Sequence, residues 1–313
     1  MIDQPALTPR FAIVLAAYNG MRFITEQIES ILNQRNVDLQ IFVSVDVSSD
    51  GTHAHVVEWA VREPRLTVLP YGERFGGAGP NFYRLLRDVS LDGYDYLSFA
   101  DQDDCWDQDK LSRAHSVMRE RRADGYSSNF TAFWPSGRTR FVNKARPQRA
   151  WDFLFESAGP GCTYVVTRRL AVSLQAIAAS GDKRLELIDY HDWLVYAYAR
   201  FHQHCWVIDS WSSMQYRQHE NNQIGVNSGW RSFALRARKI LQGYGFQQSL
   251  LIAGVIRATT LPIIRRGLLD GRVGYLRTAL QATECRRKRA DQVLFFISCV
   301  LLAVINPASS AAS

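Results

Sequence analysis

The sequence is poor in cysteine and lacks long apolar runs. It has five cysteines in 313 residues, an odd number with no C-x-x-C pair, which excludes a disulfide framework and a cysteine-based zinc site. We predict reduced thiols in a cytosolic environment. No basic segment followed by an apolar run and a cleavage pattern opens the sequence, so no secretory signal is predicted. The catalytic part is therefore expected in the cytoplasm.

Two common phosphate-binding motifs are also absent. Neither G-x-G-x-x-G after the first apolar run nor G-x-x-x-x-G-K-[ST] occurs, so neither the usual dinucleotide-binding fold nor a P-loop is indicated. With 47% apolar and 21% charged residues, the composition is that of an ordered globular protein. The length predicts about two domains, or one large α/β unit with an appendage.

The basic residues are concentrated near the C-terminus. Residues 231–313 hold 13 Lys and Arg against three Asp and Glu, which leaves 24 basic and 27 acidic residues, a net of −3, in residues 1–230. Because the larger part is not basic, we expect no nucleic acid partner. The C-terminal quarter is instead predicted to meet an anionic surface.

The first hundred residues alternate between apolar runs of strand length and segments with helical periodicity. This alternation is typical of a mostly parallel sheet with helices on both faces, in which ligands bind beyond the carboxyl ends of the strands. Residues 127–149 are turn-rich and are predicted to be irregular. The predicted strands are 11–17, 39–45, 66–69 and 96–100, and the predicted helices are 24–32, 52–63, 81–89, 170–179 and 192–201.

Polar clusters follow three of the predicted strands. Tyr18-Asn19-Gly20 follows the first, Asp46 the second, and Asp101-Gln102-Asp103-Asp104 the fourth. Alternate residues of an extended segment project the same way, so Asp101 and Asp103 can converge on one site, where hard oxygen ligands suit Mg²⁺ or Mn²⁺. The alternative is that these carboxylates cap the helix that begins near Asp109.

The acidic cluster is part of a recognisable motif. Residues 101–106 (DQDDCW) with Asp109-Lys110-Leu111 resemble the D-Q-D-D-x-W…D-K-L signature of family-2 glycosyltransferases, in particular the bacterial rhamnosyltransferase-like branch. Other segments resemble further motifs of the family in the same order: 17–20 (AYNG), 48–52 (SSDGT), 159–163 (GPGCT), 191–193 (HDW) and 216–222 (YRQHENN).

The resemblance implies a GT-A fold, an αβα sandwich with a mostly parallel central sheet. Residues 1–228 would form the catalytic domain, with the nucleotide-sugar half at 10–110 and the acceptor half at 111–228. The implied reaction is an inverting, Mn²⁺- or Mg²⁺-dependent transfer of a rhamnose-like sugar from a nucleotide-diphosphate donor to a glycan or lipid-linked glycan. A transferase of another hexose and a non-catalytic sugar-nucleotide-binding membrane scaffold are the alternatives.

The resemblance also assigns roles to individual residues. Asp192 would be the catalytic base, and Asp103 with His219 would hold the metal. The alternative for Asp192 is that it is only the N-terminal charge of its helix, with His191 as the cap. His219 and Arg217 are equally well explained as residues with ordinary polar partners. The donor side is assigned Ala17, Tyr18, Asn19, Asp46, Asn81, Asp101, Gln102 and Arg217. The acceptor side is assigned Trp106, Gly161, Cys162, Thr163, His191 and Trp193.

The sequence departs from the family pattern at two places. Val45 stands where a second aspartate usually precedes Asp46, and Arg74 and Pro80 replace the usual Asn and Lys of a glycine-rich segment. The first change removes an expected contact to the base, and the second bears on contacts to the diphosphate. The glycines of residues 74–82 are also readable as simple turn formers.

Residues 229–313 carry a basic amphipathic pattern. Residues 286–289 (RRKR) precede a 13-residue apolar run, 293–305, which is shorter than the roughly 20 residues of a membrane span. We therefore predict a C-terminal amphipathic helical extension that attaches peripherally to the cytoplasmic face of the inner membrane. Packing of these helices on the catalytic domain, or in a homo-oligomer, is the alternative.

Overall fold

The computed structural model describes residues 8–219 and 243–305. Residues 220–222 of the last motif and residues 229–242 and 306–313 of the basic C-terminal region lie outside the described residues. Every site residue assigned from the sequence lies within them.

Four parallel strands form the first half of the sheet, in the order β3-β2-β1-β4. Seven of the eight residues of β1 are buried, which explains its continuous apolar run, since helices cover both faces. The predicted elements of this half are confirmed within a few residues. They are β1 (Arg10–Ala17), α1 (Ile24–Leu32), β2 (Asp38–Val45), α2 (Thr52–Arg62), β3 (Leu66–Val68), α3 (Ala78–Asp88) and β4 (Tyr96–Ala100).

The second half makes the sheet mixed. It continues in the order β4-β8-β6-β9-β5, with β7 paired to β6. β8 runs antiparallel to both β4 and β6, whereas β9 runs parallel to β6. The elements are β5 (Cys105–Trp106), α4 (Lys110–Arg121), β6 (Gly125–Phe133), β7 (Thr139–Val142), β8 (Val165–Thr167), α5 (Arg168–Ala178), α6 (His191–Phe201) and β9 (Trp206–Arg217).

The prediction that residues 127–149 are irregular is wrong, because they contain most of β6 and all of β7. Ser127, Ser128 and Asn129 resemble a turn in sequence but are buried in the sheet. Their polar groups find partners there: the Ser128 hydroxyl donates to Ser213 Oγ at 2.6 Å, and Asn129 Nδ2 donates to the carbonyl of Ser210 at 2.8 Å. Buried hydroxyls and amides are tolerated when they are paired in this way.

The C-terminal helices pack against the second half of the sheet domain. The rings of Phe246 and Phe295 lie 6.2 and 4.9 Å from that of Phe155, and all three belong to one hydrophobic cluster with Trp193. The two regions therefore share a core. The helices are α7 (Tyr244–Val255), α8 (Gly271–Ala279), α9 (Ala282–Cys285) and α10 (Arg289–Ile305), with a π-helical turn at Ile264–Leu268.

The four basic residues at 286–289 do not share one environment. Arg287 is only 6% exposed, and Arg286 donates from Nη1 to the carbonyl of Phe155 at 2.7 Å. Lys288 and Arg289 are exposed. The expectation that all four face lipid is therefore wrong for Arg287. Among the described helices, none has both the length and the apolar character that crossing a membrane requires.

Candidate active site

Gln102 joins the ends of β1 and β4, where the first and third polar clusters lie. Its Oε1 accepts the N–H of Tyr18 at 2.7 Å, and its Nε2 donates to the Tyr18 carbonyl at 2.9 Å. A Cβ on Gly20 would come within 2.3 Å of the same Oε1, so this close approach requires glycine. The amide predicted to bind the donor thus shapes the strand ends, while the Tyr18 side chain is half exposed.

Asp46 organises the glycine-rich loop beside β2. Its buried carboxylate accepts backbone N–H groups from Val47, Phe75 and Gly76 at 2.7, 3.0 and 2.9 Å. Its own N–H donates to the carbonyl of Ala17 at 2.8 Å, which ties the loop to the end of β1. Both carboxylate oxygens therefore have protein partners, and a contact between Asp46 and the base of a nucleotide stays a prediction.

Asn19 and Asn81 occupy the same rim of the sheet. Asn19 has a positive φ of 45°, and its Oδ1 accepts the N–H of Ser49 at 2.9 Å. The buried Asn81 donates from Nδ2 to the Ser44 carbonyl at 3.1 Å, and its Oδ1 has no hydrogen-bond partner within the described chain. Of these two assigned donor-side residues, Asn81 retains an acceptor that a ligand could satisfy.

Two carboxylates and a thiol lie close together at the end of β4. Ligand atoms of Asp101, Asp104 and Cys162 lie within 4.8 Å of one another, and Asp104 Oδ2 is buried without a hydrogen-bond partner in the described chain. Burial, followed by the charge of Asp103, raises the pKa of Asp101 to about 7. The same two causes, in the same order, raise the pKa of Asp104 well above its ordinary value. Carboxylates held this close repel one another, and a divalent cation would relieve that repulsion.

The structure brings the two predicted metal ligands together. His219 Nε2 lies 2.7 Å from Asp103 Oδ2, and both side chains are 15% exposed. A carboxylate beside an imidazole, with further carboxylates next to it, is a donor set that suits Mn²⁺ and also accepts Mg²⁺. The residues present therefore fit a divalent metal.

Arg217 fastens the backbone of the acidic loop. Its Nε donates to the carbonyl of Asp103 at 2.9 Å, and its guanidinium lies 4.6 Å from the ring centres of both Phe23 and Phe133. Its Nη2 also pairs with Glu26. These contacts hold the Asp103 backbone in place, and the predicted contact of Arg217 with a phosphate stays a prediction.

Lys110 connects the acidic loop to the segment that contains Cys162. This role was not predicted from the sequence. Its buried Nζ donates to the carbonyl of Cys162 at 2.5 Å and lies 3.0 Å from the ring centre of Trp106. Burial lowers the pKa of the Lys110 amine, and the nearby charges of Asp104 and Asp101 oppose this effect. The available signal was its place in the Asp109-Lys110-Leu111 motif.

Asp192 lies beside the acceptor-side segment at the start of α6. It is 7% exposed, and burial raises its pKa to about 6 against the effects of the Trp193 N–H, the Lys144 charge and the Ser157 hydroxyl. A Cβ on Gly161 would lie 3.3 Å from the Asp192 Cβ, while the neighbouring Cys162 belongs to the acidic cluster. Asp192 thus lies beside Gly161, and the next residue, Cys162, belongs to the cluster.

Among the other assigned acceptor-side residues, His191, Trp193 and Gly161 form a packed wall around Asp192. The His191 ring stacks on Phe82 with centres 3.9 Å apart, and burial lowers its pKa to about 3, so the imidazole is neutral. Trp193 Nε1 donates to the Phe153 carbonyl at 2.9 Å, and Thr163 Oγ1 donates to that of Pro160 at 2.8 Å. Trp106 is buried against Lys110.

Gly161 should not tolerate a side chain. A Cβ there would lie 2.3 Å from His191 Nε2, so we expect Gly161→Ala to lower the free energy of unfolding by about 1–3 kcal/mol, the usual cost of overpacking. Gly159→Ala is the matched control, because its Cβ would meet Thr163 Oγ1 at an ordinary 3.5 Å. Urea unfolding of both variants measures the difference, and equal stabilities would contradict this view of the wall.

Comparison with known proteins assigns the chain to a family. Residues 12–165 match the sequence profile described as Glycosyl transferase family 2. A dTDP-rhamnosyl transferase, RfbG of Shigella flexneri, is 38% identical over 288 residues, which cover 92% of this chain and 99% of that protein. The UDP-Glc:alpha-D-GlcNAc-diphosphoundecaprenol beta-1,3-glucosyltransferase WfgD of Escherichia coli is 26% identical over 162 residues, which cover 50% of this chain and 60% of that protein.

Solved structures share the fold. S. aureus TarS 1-349 in complex with UDP-GlcNAc superposes with a TM-score of 0.52 at 15% identity, covering 93% of this chain and 90% of that one. The mannosyltransferase PcManGT of Pyrobaculum calidifontis, in complex with GDP-Man and Mn²⁺, has a TM-score of 0.51 at 17% identity, covering 96% and 86%. The sheet is mixed rather than wholly parallel, and the architecture is that of GT-A enzymes. The chain therefore belongs to glycosyltransferase family 2, within its rhamnosyltransferase-like branch, and is a glycosyltransferase.

Proposed function

We propose that this enzyme transfers a rhamnose-type sugar from a dTDP-linked donor to a hydroxyl of a glycan or lipid-linked glycan, with inversion at the anomeric carbon. The donor is supported by the 38% identity to the dTDP-rhamnosyl transferase across 92% of the chain. The observation that carries the mechanism is that Asp192 lies beside Gly161, while the acidic cluster includes the next residue, Cys162.

Asp192 is proposed as the general base. Inverting transfer is a single displacement, so a carboxylate must take the proton of the acceptor hydroxyl as that oxygen attacks the anomeric carbon. A base with a pKa of about 6 is ionised at neutral pH and is a stronger proton acceptor than an ordinary aspartate. Asp192 is 7% exposed, so little water reaches this carboxylate.

Asp103 and His219 would hold the divalent metal, with Asp101 beside them. When bound, a divalent cation neutralises the charge that develops on the leaving diphosphate. Arg217 keeps the Asp103 backbone in place. Lys110 keeps the acidic loop at a constant distance from Cys162 through its hydrogen bond to that residue's carbonyl.

A panel of sugar nucleotides tests the proposed donor. We expect dTDP-rhamnose to give the fastest Mn²⁺-dependent release of nucleoside diphosphate, and calorimetry should show that dTDP binds more tightly once Mn²⁺ is added. A faster reaction with another nucleotide hexose would overturn the proposed donor. A chain that binds dTDP equally well with and without metal, and that turns over no donor, would be a binding scaffold.

Turnover should depend on pH through Asp192. Its pKa of about 6 predicts that kcat at saturating Mn²⁺ is half-maximal near pH 6 and falls about tenfold for each unit below, because the protonated carboxyl accepts no proton. Initial rates over this range measure the profile, and the affinity for dTDP at each pH is the control. A kcat that stays constant down to pH 4 would contradict the assignment.

We also propose that the C-terminal helices attach the enzyme to the cytoplasmic face of the inner membrane. Two exposed apolar stripes lie on the C-terminal helices. One runs along α8 and the residues that flank it, and comprises Leu269, Val273, Leu276 and Leu280. The other runs along α10 and comprises Val293, Ile297, Leu301 and Ile305. The exposed basic side chains beside the two stripes suit anionic lipid headgroups. They are Arg265, Arg266, Arg272, Arg277, Lys288 and Arg289.

A charge placed in either stripe should weaken membrane binding. We expect Leu276→Glu and Ile297→Glu each to lower the fraction that sediments with phosphatidylglycerol-containing vesicles about tenfold, the cost of losing one buried leucine-sized side chain. Val61→Glu, at an exposed position of α2, is the matched control and should bind as the wild type does. If the wild-type protein does not bind these vesicles and sedimentation in their absence shows a dimer, a second copy of the chain covers the stripes.

A further inference from the structure

A cavity of about 710 Å³ lies between the π-helical turn and the end of α8, and this volume is in the range of small-ligand sites. A Cβ on Gly274 would overlap the carbonyl oxygen of Gly267, so the two elements touch through their backbones and only glycine fits at this crossing. The contact fixes the two sides of the cavity relative to each other. Arg266 lines the side of the turn, and Arg277 and Leu280 line the side of α8.

The cavity carries a positive charge that the described residues do not balance. Arg277 pairs with Asp270 through Nη1, and the same Nη1 donates to the carbonyl of Arg266 at 3.4 Å. The guanidinium of Arg266 itself has no hydrogen-bond or ion-pair partner in the described part of the chain. Residues 262–281 hold four arginines and one acidic residue, a net of +3. An anion is therefore the ligand that this wall favours.

Two arginines on one wall suit a phosphate. The planar guanidinium group donates two parallel hydrogen bonds to phosphate oxygens. Arg277 uses only Nη1 in its polar contacts with the described residues, which keeps its Nη2 available to a ligand beside Arg266. Asp270 does not oppose such a ligand strongly, because its charge is already paired with that of Arg277.

The same cavity has an apolar wall. Leu280 lines it and is 81% exposed, and this residue is also the last member of the apolar stripe of α8. A phosphate bound between the two arginines would therefore lie at the end of a continuous apolar surface. Free phosphate makes no use of that surface, whereas a phosphate that carries acyl chains covers it and gains the free energy of apolar burial.

We propose that this cavity binds an anionic phospholipid, with the lipid phosphate between Arg266 and Arg277 and the acyl chains along the apolar stripe of α8. The inference rests on the proposed membrane attachment and adds one defined headgroup site to it. Such a site would fix how the C-terminal helices are oriented on the membrane. The competing explanation is diffuse attraction, in which every exposed arginine of the region contributes equally.

A soluble lipid separates these explanations. We expect calorimetry to show that dihexanoyl-phosphatidylglycerol, below its critical micelle concentration, binds the full chain at one site. Glycerol phosphate should bind at least about tenfold more weakly, because it lacks the acyl chains. Arg266→Gln and Arg277→Gln should each weaken lipid binding about tenfold, since each removes a charge-assisted hydrogen bond to the phosphate. Arg265→Gln, at an exposed position of the same turn that does not line the cavity, is the matched control and should bind as the wild type does.

Turnover of dTDP-rhamnose without lipid should be unchanged in all three variants, because these arginines lie outside the candidate active site. The proposal is overturned if Arg265→Gln loses as much affinity as Arg266→Gln, if glycerol phosphate binds as tightly as the lipid, or if the wild type binds no soluble lipid. A wild type that binds no soluble lipid but sediments with phosphatidylglycerol vesicles would lose this site and keep the membrane attachment. A wild type that does not sediment with them would refute the attachment itself, so the two failures are distinguishable.

Discussion

Asp192→Asn should lower kcat by about 10²–10⁴-fold, the usual contribution of a positioned general base. The amide has nearly the same shape as the carboxyl but accepts no proton at any pH of the assay. The variant should fold at least as stably as the wild type at pH 7. The pKa of Asp192 is raised to about 6 in the folded protein from 3.8, so its ionisation costs stability as the pH rises through this window. Asparagine removes that cost.

Three measurements on Asp192→Asn test this expectation together. The rate of dTDP release gives the catalytic loss, calorimetric affinity for dTDP with Mn²⁺ should be unchanged, and thermal unfolding at pH 7 should show an equal or higher midpoint. Asp92→Asn provides the control, because this carboxylate is 89% exposed and pairs with a surface arginine, Arg168. A turnover within a few-fold of the wild type would mean that another group removes the acceptor proton.

The first half of the fold was predictable because its burial follows from local sequence. Strands that are covered on both faces need mostly apolar residues, and β1, β2 and β4 have them. The positions of the polar loops were predictable too, because each follows the carboxyl end of one of these strands. β6 escaped prediction for the opposite reason: Ser127, Ser128 and Asn129 are buried but paired, and the partners come from a strand more than 70 residues away.

The same difference applies to the candidate site: some of its residues are recognisable from local sequence, and others only from tertiary contacts. Asp101, Asp103 and Asp192 stand out because carboxylates that follow a strand or open a helix are visible in a motif. The surroundings of these carboxylates are not visible in the same way. Lys110 contacts a carbonyl 52 residues away, and Arg287 belongs to a basic run in the sequence although it is buried. A basic run predicts a charged surface only if no neighbouring helix covers it, and that depends on tertiary packing.

The carboxylate cluster explains why the metal should matter to binding as well as to rate. Asp101 is half-buried and Asp104 buried, both beside Asp103, and a diphosphate adds further negative charge to the same place. Burial lowers the pKa of the Lys110 amine, and Arg217 already pairs with Glu26. A divalent cation on Asp103 and His219 would therefore supply the positive charge that lets a diphosphate approach these acids.

Asp103→Asn should consequently lower Mn²⁺-dependent turnover by about 10²–10³-fold, as expected when a group that stabilises the leaving charge is lost. The affinity for dTDP should cease to depend on Mn²⁺, whereas Asp192→Asn should retain that dependence. Chelation of the metal from the wild type should reproduce both effects and should be reversed by added Mn²⁺. Asp107→Asn, an exposed carboxylate four residues along the chain, serves as the control and should behave as the wild type.

Since Asp103 and His219 are in direct contact, His219→Ala should weaken the Mn²⁺ dependence in the same direction. A variant of Asp103 that still binds dTDP more tightly with Mn²⁺ would assign the metal to the Asp101 and Asp104 side of the cluster instead.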